Sequence, residues 1–111
     1  WVIMRLSVQE VDAIVSALKK FLDGTDAELR LYGSRVDDNA KGGDIDLLLT
    51  VPNDEIARTL RYKKVDLLAA MKKLLGERKI DLTIALNDEI ATDPFLELIF
   101  PKSILLHKFS V

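Results

Sequence analysis

Three aspartates and one glycine–serine pair are the residues whose types and spacing can do chemistry in this chain. Asp44 and Asp46 flank Ile45 in an apolar run. In a strand, residues two apart point the same way, so the two carboxylates project from one face while Ile45 turns into the core. Side-by-side carboxylates repel unless something positive lies between them. A divalent cation meets that need, and Mg²⁺ favours carboxylate and phosphate oxygens. Asp81 sits in a similar setting, within Lys79-Ile80-Asp81-Leu82-Thr83-Ile84. If that strand lies beside the first with matching faces, three carboxylates converge. Two-metal sites hold their ions about 3.5–4 Å apart and clamp the attacking and leaving oxygens of an in-line displacement. A third carboxylate completes one metal position and helps to activate an incoming hydroxyl.

Gly33-Ser34 supplies the other half of such a site. Glycine lets a ligand approach the backbone closely. Serine adds a hydroxyl and an amide donor, and a helix beginning there would aim N–H groups at phosphate. Arg35 can add a charge-assisted bond to the same phosphates. Phosphoryl and nucleotidyl transfer need little beyond positioning and charge neutralisation. Each feature alone has a plainer reading. Gly-Ser after a strand is a common turn, and Asp-x-Asp is often a solvated sheet face. A single Asp in an apolar strand is more telling, because charge is rarely buried unpaired, although Arg78 or Lys79 would serve as a structural partner. His107 reads as exposed rather than catalytic, and Tyr62-Lys63-Lys64 as a solvated helix face.

The elements that must position these residues are legible from periodicity. Ser7-Val8-Gln9-Glu10 has the form of a capping box. Val8, Val11, Ile14, Val15, Leu18, Phe21 and Leu22 follow at helical spacing, and Asp23-Gly24 ends the helix. Residues 27–32 alternate as a strand that runs into Gly33-Ser34. Residues 35–43 are polar and read as a loop, with a helical turn near Ser34. Residues 44–51 form a second strand, with Ile45, Leu47, Leu49 and Val51 on one face and Asp44, Asp46, Leu48 and Thr50 on the other. Residues 54–75 are helical, with a polar break at Arg61-Tyr62-Lys63-Lys64 and Gly76 as the stop. Residues 80–85 form a third strand. Thr92-Asp93-Pro94 starts a helix with Thr92 as the N-cap. That helix stops at Pro101, and residues 104–107 form a short last strand.

The chain's 111 residues suit one domain spanning 1–111. Hydrophobic residues make up 49% and charged residues 31%, a globular balance, and the formal charge of −2 is spread along the chain. There is no basic arm that would signal nucleic acid, so bound polyanion must rely on a local site or a metal. The absence of cysteine excludes disulfides, thiolate metal sites and a Cys nucleophile, and fits the cytoplasm. No apolar run approaches the roughly 20 residues of a membrane span. Met4 is expected to be the natural start, with Trp1–Ile3 added ahead of it.

Taken together, Leu31-Tyr32-Gly33-Ser34-Arg35, then Gly43-Asp44-Ile45-Asp46-Leu47-Leu48-Leu49, then Asp81 in a later strand resemble the signature of the DNA polymerase β-like nucleotidyltransferase superfamily. The short length is similar to its minimal nucleotidyltransferase (MNT) group. The resemblance implies an α/β (α+β) palm-like fold: a small mixed sheet of three to four strands with helices packed on it. It implies that Gly33, Ser34 and Arg35 bind the triphosphate of ATP or another NTP. Asp44 and Asp46 would ligate two Mg²⁺ ions, and Asp81 would be the third catalytic and metal-binding carboxylate. Many short members are antitoxins of a helical HEPN ribonuclease toxin, and some transfer AMP from ATP to a tyrosine of that toxin. The implied activity is thus Mg²⁺-dependent transfer of a nucleoside monophosphate to a hydroxyl, with neutralisation by complex formation alone as the alternative. Larger relatives carry an added substrate-binding domain. Without one, the acceptor surface is expected from a partner protein or from a mate in a homo-oligomer.

Overall fold

The computed structural model describes residues 6–32, 45–76 and 79–110. Gly33, Ser34, Arg35, Asp44, Arg78 and the Trp1–Met4 start therefore lie outside the described residues, as does the expected turn near Ser34.

Helix α1, Val8–Leu22, opens on the expected capping box. Ser7 Oγ accepts from the Glu10 amide at 3.1 Å, and the Glu10 carboxylate accepts from the Ser7 amide at 2.8 Å. Strand β1, Ala27–Tyr32, and strand β2, Ile45–Val51, pair antiparallel. Helices α2, Asp54–Tyr62, and α3, Lys64–Leu75, then cross to strand β3, Ile80–Leu86. The expected break is a single residue, Lys63, whose amide donates to Thr59 O at 3.1 Å. Gly76 ends α3 at φ +86°, a region in which a Cβ is strained.

Two helical pieces follow. A short 3-10 segment, Asn87–Ala91, carries the chain into helix α4, Pro94–Ile99. Here the structure corrects the reading of the cap: Asp93, not Thr92, is the N-cap. Proline lacks an N–H and suits the first helical position, so the cap must directly precede it. The Asp93 carboxylate accepts from the Phe95 and Leu96 amides at 2.9 and 3.2 Å. The chain does not simply stop at Pro101; it tightens into a 3-10 turn over Phe100–Lys102. Strand β4, Ile104–Phe109, outlasts the expected segment by two residues.

The sheet order is β3-β2-β1-β4. β1 runs antiparallel to β2 and β4, and β2 runs parallel to β3, so the sheet is mixed. A parallel neighbour needs a long crossover, which α2 and α3 provide. One sheet face carries the main core. Ile14, Leu18 and Leu22 of α1, Ala57 and Leu60 of α2, and Leu67 and Met71 of α3 meet Leu29, Leu47, Leu49 and Leu82 there. The opposite face holds a smaller cluster, with Leu96 of α4 on Leu48 and Ala85. Strand β2 thus sends Leu47 and Leu49 into the main core and Leu48 into the smaller cluster, with Asp46 on the same face as Leu48. No described helix is long and apolar enough to cross a membrane.

Candidate active site

Strand register brings two of the three aspartates together. In the parallel β2–β3 ladder Asp46 is the direct partner of Asp81, and Leu48 partners Thr83 on the same face. Neighbouring strands lie about 4.8 Å apart, so side chains in register on one face stand abreast. Asp46 is half-buried and Asp81 is exposed. Like charges directly opposed across a ladder are destabilising. Lys79, two residues before Asp81, makes no salt bridge with it among the described residues.

Tyr32 is the third member of this corner. It is the antiparallel partner of Asp46 from the other side of β2. Its side chain reaches across β2, and Tyr32 Oη lies 3.3 Å from Thr83 Oγ1. Burial pushes the phenol pKa up. The Thr83 hydrogen bond pulls it back, and the negative charges of Asp46 and Asp81 push it up further. The phenol therefore keeps its proton and walls one side of the carboxylate pair. Beyond it stands Phe95 of α4, edge-to-face with Tyr32 at 6.0 Å between centroids and 82° between planes.

The rest of this face is arranged differently. Arg30, two residues before Tyr32, pairs with Glu28 at 3.1 Å and stacks its guanidinium 4.3 Å from the centre of the Phe100 ring. Its Nη1 lies 3.5 Å from Ser103 Oγ, while its Nε is buried without a hydrogen-bond partner among the described residues. Arg30 is therefore held by the fold, locking β1 to the turn after α4. His107 packs edge-to-face on Phe109 at 4.6 Å, away from the aspartates and on the other side of β1.

Tyr32, Thr83 and Phe95 carry no assigned role in the sequence reading. Alternation did hold a signal for two of them. Tyr32 shares its face with Glu28 and Arg30, and Thr83 follows Asp81 by two. Phe95 gives no such signal, because its place depends on where α4 returns to the sheet. Chemically, the described corner offers hard oxygen donors, a proton acceptor open to solvent, and an aromatic wall. Mg²⁺ is commonly held by one or two carboxylates together with substrate phosphates, and the Asp46–Asp81 pair fits that donor set. Among the described residues no group of three His, Cys, Asp or Glu is placed to hold a metal ion. The third expected carboxylate, Asp44, lies outside them.

A family model for the nucleotidyltransferase domain matches residues 11–105, most of the chain, taking in β1, β2 and β3 and the first two residues of β4. A search of curated proteins finds no match.

Proposed function

We propose, from the premise that the chain belongs to the nucleotidyltransferase domain family, that it transfers AMP from ATP to a hydroxyl of a partner protein. Family membership carries nucleotidyl transfer itself, and the mixed sheet with helices packed on it suits a polymerase β-like fold. The observation that supports a carboxylate site for the transfer is the register of Asp46 on Asp81 beside Tyr32. That corner pairs a half-buried carboxylate with an exposed one.

In this reading Asp44, Asp46 and Asp81 would hold Mg²⁺, two ions in the full site, and Gly33, Ser34 and Arg35 would hold the phosphates. Bound Mg²⁺ supplies charge neutralisation on the phosphates and lowers the barrier to loss of a proton from the acceptor. The acceptor oxygen bonds to the α-phosphorus as the bond to the β-phosphate bridging oxygen breaks, and pyrophosphate leaves. The acceptor proton passes to the exposed Asp81 carboxylate. Asp46, better buried, keeps its orientation fixed through the strand. Tyr32 stays neutral and limits water on one side. The partner supplies the hydroxyl, and the resemblance of Gly33-Ser34 and Asp44-Ile45-Asp46 to the MNT signature points to a HEPN-type toxin.

The test is Asp46→Asn with Asp81→Asn, assayed for transfer of label from α-³²P ATP to protein. Transfer should fall by about 10²–10³-fold or more, with the circular dichroism spectrum unchanged. Full activity in the folded double variant would sink the assigned site.

A further inference from the structure

The aromatic ring beyond the carboxylates calls for its own explanation. Phe95 contacts Tyr32 edge-to-face, yet it remains 48% exposed. A ring needed only to fill the small second core would be covered, as Leu96 is at 3% exposure. Leu98, three residues further along the same side of the helix, is 65% exposed. Moving outward from the carboxylates, the surface therefore runs from Asp46 and Asp81 to Tyr32 and then to a half-open Phe95. The polar residue at the start of α4 is already engaged, because the Asp93 carboxylate caps the Phe95 and Leu96 amides.

We propose that Phe95 is the stacking platform for the nucleobase, an assignment that rests on the nucleotidyl-transfer reading above. A nucleotide with its phosphates at the carboxylates must extend its base away from them, and this open ring is the planar apolar surface the described site offers in that direction. Tyr32 sets the tilt of Phe95 through their edge-to-face contact. Stacking uses the π-face that every base has and does not read hydrogen bonds. Selection at this point therefore follows ring area, with purine nucleotides bound more tightly than pyrimidine nucleotides.

Calorimetry with Mg²⁺ and three probes tests the assignment: ATP, UTP and inorganic tripolyphosphate. The unaltered chain should bind ATP more tightly than UTP. Phe95→Leu keeps an apolar contact on Tyr32 and should weaken ATP by about 5- to 100-fold, while tripolyphosphate affinity stays the same. Phe95→Trp should restore or exceed the original ATP affinity. Unchanged ATP affinity in folded Phe95→Leu overturns the platform. Equal weakening of ATP and tripolyphosphate also overturns it, since that marks a general disturbance of the site. Either result leaves the transfer reading intact if Asp46→Asn with Asp81→Asn still abolishes labelling. Failure of the unaltered chain to bind either ATP or tripolyphosphate overturns both.

Discussion

On the sheet face toward α1, α2 and α3, Leu29, Leu47 and Leu49 are fully buried and Leu82 nearly so. On the opposite face the buried apolar cluster among the described residues is Leu48, Ala85 and Leu96, and around it stand Asp46, Asp81, Tyr32 and Arg30. The same strands build both faces by alternation. The first face is a continuous apolar layer whose worth lies in burial. Among the described residues the second is covered by short α4 and the 3-10 turn after it, and polar side chains stand beside the cluster. β2 shows the division within a single strand: Leu47 and Leu49 serve the core, while Asp46 looks onto the site. A substitution at an odd position of β2 should therefore register as stability, and one at Asp46 as chemistry.

The largest effect expected from this contrast is in the core. Leu47→Ala should cost about 2–5 kcal/mol in urea denaturation, from lost transfer energy and the cavity left behind. Leu96→Ala should cost less, because its cluster is small and its flanks, Ile99 and Phe100, are only partly buried and can settle. Equal costs would mean that the second face is as tightly packed as the first.

The next effect has the opposite sign. Asp81→Asn removes one of two like charges abreast and should stabilise the chain by about 0.2–1 kcal/mol when divalent cations are chelated. The same change should remove most of the rise in melting temperature that Mg²⁺ gives the unaltered chain, since a ligand of the native state stabilises by mass action. Destabilisation in chelator would show instead that Asp81 is a structural partner, and the contrast between faces would fail at its most exposed residue.

Much of this arrangement was legible in local pattern. The α1 capping box, the alternation in β2 and the break before α3 each depend on residues within a few positions of one another. Alternation also placed Asp46 and Asp81 each on a face. It did not set Asp46 against Asp81, because register between parallel strands is decided by how α2 and α3 pack across the crossover. The Thr92–Asp93 choice was a local matter misjudged by one residue: the missing N–H of Pro94 moves the cap to Asp93. Phe95 beside Tyr32 was out of reach for a different reason. The two are joined only through the return of the chain over the second face, and no short-range period encodes that contact.

The smallest effect tests the corner itself through Tyr32. Burial raises its pKa most, and Asp46 and Asp81 add to that rise. A raised folded pKa means that the native chain keeps a proton the unfolded chain has already lost. The corresponding stability is whole below the unfolded pKa and declines as pH climbs toward and through the folded value. Tyr32→Phe should therefore flatten part of the alkaline loss of stability. The chain has two tyrosines, so a Tyr62→Phe background leaves Tyr32 as the sole phenol for titration by absorbance. Asp46→Asn with Asp81→Asn should then lower the midpoint part of the way, since burial remains. An unmoved midpoint in that variant would mean that the carboxylates do not face the phenol, and the corner would lose the electrostatic link that joins its three side chains.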